Sequence, residues 1–147
     1  MRESDFYQKH VKKMSGILHL ERIESSIGSG FPDVSAAGQD KQFLIETKVS
    51  KLSEGRDMLY FERFQLAFYQ KRLRYTSGKG VFVLALCNED KDICLWDAVK
   101  ILAAPREPYK KWNRVDVSSI GAPLWKESRP WGKPSMESLA RVMIEKS

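Results

Sequence analysis

The chain of 147 residues and 17.0 kDa has room for one domain with a hydrophobic core but not for two of ordinary size. Its 42% hydrophobic and 30% charged content excludes wholesale disorder, collagen-like repeats and a coiled coil. Lys and Arg number 25 against 19 Asp and Glu, a net +6 with a pI near 9.3, which favours an acidic partner.

Phe6, Tyr7, His10, Val11 and Met14 recur at helical spacing behind Ser4, which predicts an amphipathic helix over 4–14, ended by Gly16. Ile17 to Glu24 alternates Leu18 and Leu20 with His19 and Glu21 as a strand does, and a glycine-rich connection, Gly28-Ser29-Gly30, follows. Pro32 can only begin a strand or lie on an edge, so Asp33 to Ala36 is a short strand closed by a turn at Gly38-Gln39-Asp40, with Gln42 to Ser50 as its hairpin partner. Phe61, Phe64, Phe68 and Arg72, with Leu66, Tyr69 and Leu73 on an adjacent stripe, predict a helix over 60–75. Val81 to Leu86 is the continuous apolar run of a central strand buried on both faces, and Ile93 to Trp96 is the next strand. Asp97 caps a short helix ending before Pro105. Residues 105–134 hold five of the six prolines with little periodicity, and Ser135 caps a last helix with Met136, Leu139 and Val142 or Met143 inward.

This order specifies an α/β fold around a central mixed sheet, with residues 1–104 as the core and 105–147 as an irregular basic, Trp- and Pro-rich arm and terminal helix of the same domain. The arm carries the charge: residues 98–147 have ten basic and five acidic side chains, against fifteen and fourteen in 1–97, together with Trp112, Trp125 and Trp131. Basic and aromatic surface suits nucleic acid, although a packed, solvated arm has the same composition. Cys87 and Cys94 form no metal-binding spacing, and their scatter with His10 and His19 argues against a four-ligand zinc site. Met-Arg-Glu-Ser-Asp lacks the apolar run of a signal peptide and no apolar stretch approaches the ~20 residues of a membrane span. The expectation is a soluble cytoplasmic protein, of a prokaryotic or phage-infected cell.

The residues with chemistry are Asp33 at the head of one strand and Glu46-Thr47-Lys48 in the next. Period-2 alternation puts Glu46 and Lys48 on one face and Thr47 on the other, and the hairpin brings Asp33 close to Glu46. Hard carboxylate oxygens hold Mg²⁺, which neutralises a phosphate and lowers the pKa of water, while a nearby lysine orients that water or stabilises developing charge. Glu-x-Lys by itself discriminates nothing, because Glu89-Asp90-Lys91 repeats it in a turn. Context separates the first copy: it lies in the apolar strand 43–49, just after a Pro-Asp strand.

With Gly30-Phe31-Pro32-Asp33, then Glu46-Thr47-Lys48 after twelve intervening residues, and a helix from near Tyr60, the sequence resembles the PD-(D/E)XK nuclease superfamily over residues 3–96. Glu3, the Ser-Gly before the Pro-Asp strand and Gln65 make it most like the VRR-NUC and archaeal-type Holliday junction resolvase branch. The resemblance implies an αβββαβ restriction-endonuclease-like core and a metal-dependent DNA endonuclease, structure-selective for branched or junction DNA. It implies Mg²⁺, with Mn²⁺ substituting, held by Asp33, Glu46 and the backbone carbonyl of Thr47, with Lys48 as the catalytic lysine. A first-helix carboxylate often completes such sites, which makes Glu3 a candidate ligand, with Glu21 and Glu24 as rivals. Gln65, a polar amide among aromatics, needs a partner, which Lys48 or its water, or a plain backbone group, would supply. Candidate DNA contacts are Ser29 and Gly30, by close backbone approach, and Lys51 and Arg72, with Lys71 and Arg74 beside them. Gln65-x3-Tyr69 is also similar to the motif of RecB-type exonucleases, and the lack of a cysteine cluster or Walker motif argues against iron–sulfur and helicase-fused members. Paired cuts imply a homodimer. The alternative readings are a non-catalytic DNA-binding module on this core and a sequence-specific nuclease of restriction or homing type.

Overall fold

A computed structural model describes residues 1–23 and 30–147. Ser29 and Glu24, both singled out above, lie outside the described residues. The chain begins with α1 (Glu3–Lys9), which passes into a 3₁₀ segment at Val11–Gly16 and leads to β1 (His19–Arg22). The predicted helix over 4–14 is therefore cut short. Val11 and Met14, both fully buried, are three residues apart, the spacing that aligns side chains on a 3₁₀ turn.

Next come β2 (Val34–Gly38) and β3 (Lys41–Val49), joined by a tight turn in which Gln39 and Asp40 both take positive φ. The helix predicted from residue 60 starts later. Strands β4 (Lys51–Ser53) and β5 (Arg56–Glu62) precede α2 (Arg63–Tyr75), so Tyr60 and Phe61 are strand residues. Phe64 is 47% exposed, and α2 buries Leu66, Tyr69 and Leu73 instead. The strand signal was hidden because the β4 hairpin covers only residues 56–58, and residues 59–62 of β5 pair with a strand far along the chain, β9 (Trp112–Asp116).

After α2 the chain forms β6 (Val81–Cys87), β7 (Asp92–Asp97), α3 (Ala98–Ala103), β8 (Glu107–Tyr109), β9, β10 (Trp125–Ser128) and α4 (Lys133–Lys146). A six-stranded mixed sheet runs in the order β1, β2, β3, β6, β7, β10, and a four-stranded sheet in the order β4, β5, β9, β8. Among the described residues only β3 and β6 pair in parallel, Glu46 opposite Val83 and Lys48 opposite Ala85.

The large sheet separates two cores. From β6, Phe82, Leu84 and Leu86 enter one core with Phe6, Met14 and Met143, whereas Val81, Val83, Ala85 and Cys87 enter the other with Leu66, Tyr69 and Ile101. This double burial is what the uninterrupted apolar run of β6 predicted.

Residues 105–134 are not irregular. They add β8 and β9 to the small sheet and β10 to the edge of the large one. Each strand is short and its partners are distant in sequence, so periodicity within the segment was too brief to register. Helix α4 starts at Lys133 behind Gly132, with Pro134 in its first turn, so Ser135 is an internal residue and no cap. Trp131, Met136, Leu139 and Met143 are buried in the first core. At roughly 1.5–3 kcal/mol for each such side chain, they contribute as much as the whole ~5–15 kcal/mol net stability of a domain, so Trp131 and α4 are built into the first core. Among the described residues no helix is long and apolar enough to cross a membrane.

Candidate active site

β2 and β3 form a ladder whose last pair is Val34 with Ile45, so Asp33 stands where β2 stops and β3 continues alone on that side. Leu44 and Ser50 turn their N–H groups toward β6. Alternation then turns those of Ile45, Thr47 and Val49 to the β2 side. Asp33 occupies the place a further β2 residue would take: its Oδ1 accepts from the Thr47 N–H at 2.8 Å and its Oδ2 from the Thr47 hydroxyl. In an extended strand the carbonyl of a residue points the same way as its N–H. The Thr47 carbonyl is thus directed to the edge where Asp33 lies. Holding Asp33 through its hydroxyl is a role for Thr47 that the sequence did not reveal.

Glu46 and Lys48 project to the α2 side of β3 and are almost fully enclosed, at 3% and 4% exposure. Lys48 Nζ lies 3.6 Å from Glu46 Oε2, donates to Gln65 Oε1 at 3.1 Å, and sits 4.8 Å from the centre of the Phe61 ring. Gln65 stands in the first turn of α2. Its Oε1 also accepts the Glu62 N–H at 2.9 Å, which fastens the helix start, and its Nε2 donates to Glu46 Oε2 at 3.2 Å. Both roles weighed for this glutamine are therefore filled at once: one amide binds backbone and also spaces Lys48 from Glu46.

Glu3, at the start of α1, completes the cluster. Glu3, Asp33 and Glu46 each present a carboxylate oxygen, all within 4.8 Å of one another. Of the rivals, Glu21 is an exposed β1 residue beside His19. Burial pushes the carboxyls of Glu3 and Asp33 above their ordinary range. It pushes Glu46 up to about 8, against the pull of Lys48 and with the added repulsion of Asp33 and Glu3. Lys48, with Lys51 and Arg22 acting on Glu3 as well, does not compensate three crowded carboxylates, whose carboxyls all stay raised. Moreover Glu46 Oε1 is buried with no hydrogen-bond partner among the described residues. A buried carboxylate oxygen without a partner is costly, and a hard divalent cation is the ligand this oxygen-only set fits.

The remaining predicted contacts divide. Lys51 lines the same cavity as Glu3, Lys48 and Gln65, whereas Arg72 is exposed in the last turn of α2 and is not among the residues lining it. Gly30 has φ +88°, and a Cβ there would lie 2.1 Å from the Phe64 carbonyl oxygen, so packing against the first turn of α2 accounts for this glycine. Gly30→Ala is expected to destabilise the protein by about 3 kcal/mol in urea denaturation, through left-handed strain and overpacking together. Tyr60, Glu62, Tyr109, Lys110 and Trp112 also line the cavity and were not singled out individually. The run Tyr109-Lys110-Lys111-Trp112 was their one legible signal.

No family model and no curated protein matches this sequence. Among solved structures, the fold is similar to a Holliday junction resolvase of the archaeal hyperthermophile Archaeoglobus fulgidus, with TM-score 0.52 and 17% identity over 94% of this chain and 99% of that one. A nuclease from a fusselovirus also matches, at TM-score 0.46 and 13% identity over 94% of this chain and 84% of the other. The chain thus has the restriction-endonuclease-like fold of the archaeal resolvase; its large sheet keeps the αβββαβ order read from the sequence, with β4 and β5 inserted before α2.

Proposed function

We propose that the protein is a metal-dependent DNA endonuclease that hydrolyses phosphodiester bonds and selects branched or junction DNA. The observation that carries this reading is the unpartnered buried oxygen of Glu46 within a cluster of three carboxylates, beside an enclosed lysine. Asp33, Glu46, Glu3 and the Thr47 carbonyl would hold Mg²⁺ or Mn²⁺. Bound there, the cation supplies charge neutralisation at the phosphate and a lowered pKa for water. Thr47 fixes both oxygens of Asp33, so that carboxylate is a ligand already oriented. Gln65 and Glu46 hold the Lys48 ammonium in place, where it orients the attacking water and stabilises charge that develops on phosphoryl oxygen. Lys51, at the mouth of the cavity, contacts backbone phosphate without reading sequence.

Selectivity for junctions takes its support from the resolvase neighbour, and symmetric paired cuts then require two sites in a homodimer. The test is cleavage of single-strand, duplex, flap and four-way-junction DNA with Mg²⁺ or Mn²⁺, by the wild type and by Asp33→Ala, Glu46→Ala and Lys48→Ala, with light scattering for the mass. The wild type is expected to cut branched substrates and each variant to lose at least about a hundredfold. Wild-type cleavage by all three variants would end the assignment. Cation-independent binding with no cleavage of any substrate would favour a DNA-binding module.

A further inference from the structure

The small sheet has two unlike faces. Leu59, Phe61 and Val115 turn into the second core, and the opposite face carries Tyr60, Tyr109 and Trp112 with little above them. Tyr109 is 39% exposed, and Tyr60 and Trp112 are half-buried. Tyr60 meets Tyr109 and Trp112 edge-on, with ring centres 6.1 and 6.5 Å away. The core does not need these rings, since the small sheet already buries its other face.

Cations flank each ring. Lys51 lies 6.0 Å from the centre of Tyr60, Lys110 5.6 Å from that of Tyr109 and Lys111 5.2 Å from that of Trp112. Beneath them the platform is braced. Arg114, only 6% exposed, lies 4.7 Å from the centre of the Tyr109 ring, and donates to Ser53 Oγ at 3.1 Å and to Glu107 at 3.3 Å. Arg56 donates to both oxygens of Glu107. Binding to a braced surface loses less side-chain freedom than binding to a loose one.

The placement decides what this surface is for. Tyr60, Tyr109 and Trp112 line one cavity of about 480 Å³ with Glu3, Lys48 and Gln65. Flat π faces interleaved with lysines fit a flat ring attached to an anion, as in a nucleotide. In continuous duplex both faces of each base are already stacked on neighbours, so only an unpaired base can offer its face.

We infer that Tyr60, Tyr109 and Trp112 form a stacking subsite for an unpaired nucleobase next to the phosphate that faces Asp33 and Glu46. The substrate is then DNA with an unpaired nucleotide beside the cut, such as a flap, a gap or the splayed centre of a branch. This deepens the nuclease reading and rests on it for the position of the phosphate, but stacking is measurable without cleavage.

The experiment is equilibrium binding in EDTA of two oligonucleotides, a fully paired duplex and the same duplex with a short unpaired flap carrying 2-aminopurine next to the branch. Wild-type protein is expected to bind the flapped DNA more tightly and to change the 2-aminopurine emission. Trp112→Ala weakens flap binding roughly tenfold and removes the emission change, leaves duplex binding nearly unchanged, and Trp112→Phe restores most of the effect. Tyr109→Ser, at a more exposed position, gives the same selective loss should Trp112→Ala fold poorly. Equal weakening on both DNAs, or no weakening by either variant, overturns the inference. Flap selectivity without cleavage would sustain the subsite and remove the nuclease. Cleavage indifferent to Trp112 and Tyr109, on paired and flapped DNA alike, would sustain the nuclease and remove the subsite.

Discussion

Glu46→Gln is expected to abolish cleavage and, at the same time, to stabilise the metal-free protein at alkaline pH. The first effect follows from replacing a charged ligand by a neutral one of the same shape, with a loss of at least about a thousandfold. The second follows from linkage. The Glu46 carboxyl has its midpoint near 8 when folded against an ordinary 4.5, so between these values the folded state binds more protons than the unfolded one. Stability therefore falls as pH rises through that window, and at pH 8 the ionisation costs about 2–4 kcal/mol. Glu3 and Asp33, also raised, add to the fall with the same sign. The substituted amide has no proton to lose, so the variant's melting temperature in EDTA exceeds that of the wild type at pH 8 and the difference closes near pH 5. Mn²⁺, which competes with the proton for the wild-type carboxylates, is expected to raise the wild-type melting temperature more at pH 8 than at pH 6 and to leave the variant nearly unmoved. Identical pH profiles for the two proteins would show that Glu46 bears no unmet charge, and the metal site would lose its main support.

Lys48→Met separates holding the cation from doing the chemistry. Methionine keeps an unbranched chain one atom shorter than lysine's and loses the charge, and cleavage should fall by about 10²–10⁴-fold. The Mn²⁺-induced rise in melting temperature should persist or grow, because a positive charge has left the neighbourhood of three carboxylates. A variant at a ligand position loses both properties, so the split between them identifies the role. Removing one partner of a buried ion pair ordinarily costs about 3–5 kcal/mol. Here Glu46 escapes by staying protonated below pH 8, and the expected cost at neutral pH is nearer 1 kcal/mol, for the hydrogen bond to Gln65. Cleavage close to the wild-type level would remove Lys48 from the mechanism.

Gln65 illustrates how the two levels of information combine. Its position among Phe61, Phe64 and Phe68 marked it as an amide in need of a partner, but only the arrival of α2 over β3 shows that one side chain serves Glu62, Lys48 and Glu46 together. Likewise the charge excess of the last third was plain, while its location was not. Part of it flanks the aromatic face beside the candidate site, on Lys110 and Lys111, because β9 pairs with β5 and β8 with β9.

Local pattern made legible the αβββαβ order of the large sheet and its central strand β6, and marked Asp33, Glu46 and Lys48 as candidates on neighbouring strands. These depend on alternation within a strand or spacing within a helix, and both are written in neighbouring residues. Tertiary structure decided the rest: that Glu3 joins Asp33 and Glu46, that residues 56–62 are strand, and that the supposed arm is split between two sheets. Each of these rests on a contact between residues far apart along the chain. Such a contact is chosen by the burial and pairing available across the whole fold, which no short window of sequence contains.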